Sequence, residues 1–100
     1  APNLPGWHNV PLRDIIQQTF QKPTYLGNDA NVAAMGEWKF GAGRGSNDMI
    51  YITVSTGIGG GIICGGQLLY GHNGLAGEVG HQTIVQNGPR CNCGNRGCLE

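Results

Sequence analysis

Three cysteines fall within the eight residues Cys91-Asn-Cys-Gly-Asn-Arg-Gly-Cys98, a C-x-C-x4-C spacing, and His81 stands ten residues before the first of them. Three thiolates and one imidazole are the soft donors that a structural zinc ion takes in a closed tetrahedral shell, and the intervening glycines let a short loop wrap at about 2.3 Å from the metal. The competing arrangement is a disulfide, for instance Cys91 with Cys98. An odd number of clustered cysteines and the lack of a secretory signal weigh against it. Cys64, the fourth cysteine, sits in an apolar stretch and is expected as a small buried hydrophobe. Metal binding to such loops is worth roughly 10–16 kcal/mol in small zinc-finger peptides, so chelation is expected to loosen this end first.

The chain has 100 residues, 39% of them hydrophobic, enough for a modest core. Its formal net charge is zero and 12% of its residues are charged, so it offers no basic face to a nucleic acid, and none is expected as partner. No apolar run approaches the roughly 20 residues that span a bilayer, and Ala1 to Val10 lacks the charged-then-apolar order of a signal peptide. A soluble, cytoplasmic protein without membrane contact is expected. Glycine is the compositional extreme, at 19 residues against an average near 7%. The glycines lie between β-branched runs such as Ile50-Tyr-Ile-Thr-Val54, which points to tight turns and close backbone approach. The missing initiating Met and abrupt ends suggest a segment of a longer protein.

Residues 1–9 form an irregular lead-in, with Trp7 expected to pack on the body. Asn9 can cap a helix whose first turn holds Pro11 and whose face carries Leu12, Ile15, Ile16 and Phe20, and Pro23 forbids its continuation. Tyr25-Leu26 reads as extended. A second helix is expected from Asp29 or Ala30 to about Phe40, with Val32, Met35 and Trp38 inward, ended by Gly41-Ala-Gly-Arg-Gly45, the one candidate internal boundary. The period then becomes extended: strands are expected at Met49–Ser55, Gly60–Cys64, Gln67–Tyr70 and His81–Gln86, with Gly65-Gly66 as a two-residue hairpin turn.

Between the first two strands lies Val54-Ser-Thr-Gly-Ile-Gly-Gly-Gly61. Free backbone N–H groups in such a run can converge on an anion, but the run matches neither the P-loop nor the dinucleotide fingerprint, and a plain hairpin turn explains it equally well. Asp29 opens a helix, where a carboxylate is commonly a cap or a dipole partner. Asn28 beside it has the donors and acceptors that a sugar hydroxyl pair needs. Glu78 and His81 stand three apart, and read alone are a surface carboxylate and a core histidine. If one ring nitrogen of His81 holds a metal, the other remains to face a hydroxyl.

Gly27-Asn-Asp-Ala-Asn31, Ser55-Thr-Gly-Ile-Gly-Gly-Gly61, Gly77-Glu-Val-Gly-His81 and Cys91-Asn-Cys-Gly-Asn-Arg-Gly-Cys-Leu-Glu100, in that order, resemble the ROK family of repressors, open reading frames and kinases. The lead-in Pro2 to Trp7 resembles it as well. The resemblance implies a mixed α/β segment of the two-domain actin and hexokinase-like (ribonuclease H-like) ATPase fold, and a hexose or N-acetylhexosamine kinase using ATP and Mg²⁺. It implies Asp29 as the general base that accepts the proton of the attacking sugar hydroxyl. Asn28, Asp29, Glu78, His81 and Glu100 would bind the sugar. Thr56, Gly57, Gly59 and Gly60 would cradle ATP phosphates, and His81, Cys91, Cys93 and Cys98 would hold structural zinc.

A complete ROK kinase is about three times this length, and the family's first phosphate loop, of Asp-x-Gly-Gly-Thr type, and its adenine-enclosing region are absent here. Residues 1–43 would belong to the smaller domain and 48–100 to the larger, straddling the cleft. The 100 residues alone are therefore expected to lack kinase activity, and apolar faces left open are expected to self-associate into homo-oligomers. Two other readings stand beside the kinase: a ROK repressor whose sugar-sensing part this is, and a zinc-stabilised interaction module without a pocket.

Overall fold

A computed structural model describes residues 4–100, so the start of the expected lead-in, residues 1–3, lies outside the described residues. Two helices precede a three-stranded antiparallel sheet: α1 (Leu12–Phe20), α2 (Asp29–Phe40), β1 (Met49–Val54), β2 (Ile58–Cys64) and β3 (Gln67–Leu68), in sheet order β1-β2-β3. A 3₁₀ turn, η1 (Val79–His81), follows. No helix among the described residues is long and apolar enough to cross a membrane.

The sheet is built on a hairpin whose register runs from Met49 opposite Ile63 to Val54 opposite Ile58. Residues paired across a ladder share a face, so Tyr51, Thr53, Gly59, Gly61 and Ile63 lie on one side. There α2 packs with its smallest side chains: Ala34 is fully buried, Ala30 and Ile63 nearly so. A side chain on Gly61 would start 2.5 Å from Ala34 Cβ and 3.0 Å from the Ala30 carbonyl oxygen. Only glycine lets helix and strand backbones approach this closely. The expected inward face of α2 is thereby corrected. Val32 and Met35 are exposed, because the seam has no room for them, and Trp38 is half-buried with its indole N–H donating to the Ser46 carbonyl at 2.7 Å.

The opposite face of the sheet is covered around Gly60 by the Gly77–Gly80 segment, while Ile50, Ile52 and Val54 stay exposed. The helix α1 buries none of its residues, including the apolar stripe of Leu12, Ile15, Ile16 and Phe20. Its N-cap is Pro11, with no side-chain capping bond, not Asn9, and Trp7 is exposed. The Cα radius of gyration of 15.9 Å, against about 13 Å for a compact domain of this length, follows from these uncovered faces.

Other expectations are met or corrected locally. Gly65 and Gly66 adopt φ of 58° and 74° and close the β2–β3 hairpin as anticipated. The glycines at 59–61 belong to β2 itself, which starts at Ile58. Cys64 ends β2 and is exposed, not buried, because it falls on the turn side of the hairpin beyond the reach of α2. The expected strand His81–Gln86 does not form. Only an isolated bridge joins Thr83 to Cys98, since the Ile84 and Val85 N–H groups both donate to the Gly97 carbonyl rather than to a ladder. Gly41–Gly45 joins α2 to β1, elements that pack on each other.

Candidate functional site

The start of α2, the β1–β2 turn, η1 and the last residue converge on a cleft of about 480 Å³. Every sugar- and phosphate-binding residue expected from the sequence lines it: Asn28, Asp29, Thr56, Gly57, Gly59, Gly60, Glu78, His81 and Glu100. Thr53 and Ser55 line it too and escaped the sequence reading. The alternation along β1, which turns Thr53 to the face shared with α2, was the signal for the first.

At the helix end, the cap falls to Asn28, whose Oδ1 accepts the Asn31 N–H at 3.1 Å. Asp29 is thus not the cap. It is exposed, it accepts only the adjacent Ala30 N–H at 2.9 Å, and as the first helical residue it has its negative charge favoured by the helix dipole. Its carboxylate is free to accept from a ligand in the cleft.

The turn Ser55-Thr56-Gly57 is closed by the Ser55 N–H donating to the Gly57 carbonyl at 2.8 Å. The next donor, Ile58 N–H, is taken by Glu100 Oε2 at 2.9 Å. The N–H groups of Thr56 and Gly57 meet no acceptor among the described residues, so the turn carries two open donors. Gly59 and Gly60 sit deeper, in the strand, where they admit Ala30 and the Gly77 carbonyl respectively.

On the far wall, His81 Nε2 lies 4.0 Å from Glu78 Oε2. Its Nδ1 lies 3.5 Å from Cys91 Sγ, and Cys93 Sγ lies 3.6 Å from Cys98 Sγ. One donor atom from each of these four residues falls within 4.8 Å of the others. A tetrahedral ion bound at about 2.3 Å requires ligand separations of roughly 3.8 Å, so the donor set fits a metal ion in chemistry and in size. The groups also shift one another. The Cys91 hydrogen bond raises the His81 pKa above its ordinary value against an opposing desolvation, and the charges of Glu100, Cys91 and Glu78 add smaller upward contributions. Burial, with its thiol neighbours, pushes Cys98 up to about 12, whereas the Asn95 backbone lowers Cys93.

Comparison with known proteins accords with this geometry. A family model described as ROK family matches residues 1–100, and the chain belongs to the ROK family. A glucokinase from Thermotoga maritima is 51% identical over the whole chain, which spans 32% of that protein. A xylose repressor from Caldicellulosiruptor bescii is 52% identical, again over the whole chain, which spans 25% of it. Among solved structures, a ROK family glucokinase from Streptomyces griseus in complex with glucose and AMPPNP superposes with a TM-score of 0.85 at 49% identity, over 98% of this chain and 31% of that one. The fold is therefore a mixed helix and strand segment of the actin/hexokinase-like architecture, and the chain spans about a third or less of the relatives it matches.

Proposed function

We propose that this chain forms the sugar side and one phosphate-binding turn of an ATP-dependent hexose kinase. The observation that carries the reading is the sharing of one cleft by the free Asp29 carboxylate, the two open N–H donors of the Thr56–Gly57 turn, and the polar side chains of Asn28, Glu78, His81 and Glu100. Phosphoryl transfer asks little covalent chemistry of a protein, so catalysis is mostly the alignment of hydroxyl and phosphates. Asp29 accepts the proton of the attacking hydroxyl. Asn28, through the amide nitrogen that capping leaves free, Glu78, His81 and Glu100 hold the other hydroxyls. The turn donates to phosphate oxygens of ATP, whose Mg²⁺ accompanies it.

We assign the ion of the Cys91, Cys93, Cys98 and His81 cluster as zinc, from its all-soft donor set. Four protein ligands close the shell, so bound zinc contributes by cross-linking the loop to η1, not by touching substrate. Residues 1–43 and 48–100 fall, on this reading, in the smaller and larger domains of the parent fold. The 100-residue chain alone, without the Asp-x-Gly-Gly-Thr phosphate loop, gives no sugar-dependent ADP formation.

The test is Asp29→Asn in a chain of the relatives' full length. The expected loss in kcat is about 10²–10⁴-fold, with the sugar KM changed little. Wild-type turnover in that variant excludes Asp29 as the base. A second reading, a sugar-sensing repressor segment, is favoured by the whole-chain match to the C. bescii xylose repressor. It predicts sugar binding by calorimetry with no ADP formation in the full-length wild type. No heat with glucose, mannose or their N-acetylated amines would leave only a zinc-stabilised module.

A further inference from the structure

Glu100 reaches the cleft from the end of the cysteine loop, yet the partner its carboxylate holds in the structure is the turn: Oε2 accepts the Ile58 N–H at 2.9 Å, across 42 residues of sequence. The backbone that carries Glu100 is fixed on η1 and the residue after it by two hydrogen bonds of 2.9 Å, Glu100 N–H to the Gly80 carbonyl and Leu99 N–H to the Gln82 carbonyl. Gly80 in turn lies flush against the Ile58 carbonyl, where any side chain would collide. Ile58 is therefore gripped on both sides of its backbone, by Gly80 at the carbonyl and by Glu100 at the N–H. A carboxylate placed beside an anion site would repel the anion, so its position there demands a separate reason. By taking the third donor of the turn, Glu100 fixes the turn's shape and leaves the Thr56 and Gly57 N–H groups open.

We infer that Glu100 is a positioning residue for the nucleotide phosphates: its carboxylate holds the Ser55–Ile58 turn in the conformation that receives them. The inference rests on the kinase reading above and adds a role to the sugar contact given to Glu100 there. Gly57 supplies an independent handle. Its backbone is not left-handed, so alanine is tolerated there, but the new Cβ would sit 2.6 Å from Glu100 Oε2 and push the carboxylate off the turn.

The experiment compares Glu100→Gln, Glu100→Leu and Gly57→Ala in the full-length protein, at saturating sugar, with the KM for ATP as readout. Glutamine keeps a carbonyl acceptor for Ile58 and is expected to hold the ATP KM within about twofold, while leucine removes the acceptor and raises it about tenfold. Gly57→Ala is expected to raise it too, but to add nothing in the Glu100→Leu background. Hydrogen exchange at Ile58 N–H should accelerate about tenfold in the leucine variant and stay slow in the glutamine variant, a readout that survives if turnover is lost. Equal ATP KM in wild type and leucine variant, with only the sugar KM raised, overturns the inference and spares the kinase reading. A wild-type protein that neither binds AMPPNP nor forms ADP overturns both.

Discussion

The α2–β2 seam lines the cleft directly, whereas the cysteine loop meets it only through the residues that flank it, His81 and Glu100, and the two regions are held by different means. In the seam, Ala30 and Ala34 lie against Gly59 and Gly61, Ile63 is 1% exposed, and the β1–β2 ladder runs six residue pairs. Local propensity, hydrogen bonding and burial all support it. In the loop, residues 82–98 bury only Gly97, and structure is limited to backbone hydrogen bonds, two isolated bridges and the contacts of the three thiols with one another and with His81. Such a loop has no apolar interior to offset the entropy of ordering it. The catalytic candidate Asp29 thus stands on a self-supporting element, whereas His81 and Glu100 flank a loop whose order we propose depends on a metal cross-link.

The largest test of this contrast is metal removal. Chelation should abolish hydrogen-exchange protection from about Cys91 to Cys98 and leave the seam protected, since the ion is worth roughly 10–16 kcal/mol in comparable peptides. Metal analysis well below one zinc per chain, in protein purified without chelator, removes the assignment. The pH dependence should change sign with the ion. In metal-free protein the raised His81 pKa means that its contribution is full below the ordinary value near 6.5 and is lost as pH rises through the raised one. With metal bound, protons compete for Nδ1, so the loop weakens as pH falls. Thermal melts from pH 5 to 8 with and without chelator decide it, and parallel slopes would count against a metal on His81.

Two glycines separate seam from surface. Gly61→Val should destabilise the chain by about 1–3 kcal/mol or more through overpacking against Ala34. Gly36→Ala, in the exposed middle of α2 with nothing near its Cβ position, should stabilise by about 0.5–1 kcal/mol. Urea denaturation measures both. A tolerated valine would mean that the seam is loose.

Those glycines also mark what the sequence made legible. Both helices, the Gly65-Gly66 hairpin and the clustering of His81 with Cys91, Cys93 and Cys98 were readable, because each depends on local spacing: Pro23 stops a helix, paired glycines close a turn, and closely spaced cysteines share one short loop. The inward face of α2 was not readable. Period alone selects the bulky Val32 and Met35, and only the partner strand reveals that Ala30 and Ala34 are required. The strand expected at His81–Gln86 failed likewise, since β-branched residues without a ladder partner remain a loop. Gathering the site residues into one cleft followed from the resemblance of four motifs, but the grip of Glu100 on Ile58 joins residues 42 apart and has no local signature.

The smallest effect tests whether the seam reaches the edge of the cleft. Asn28 caps α2 through its Oδ1 and is also read as a sugar ligand. Asn28→Ala should cost about 1 kcal/mol of stability, whereas Asn28→Ser keeps an acceptor for Asn31 N–H and should cost a few tenths. The serine variant loses the amide nitrogen that capping leaves free, so its sugar KM should rise about as much as in the alanine variant. If both variants match wild type in stability, the first turn of α2 is held by Asp29 and the dipole instead. In that case Asp29 is a structural residue as well as the candidate base, and the division between self-supporting wall and reactive group would no longer run between Asn28 and Asp29.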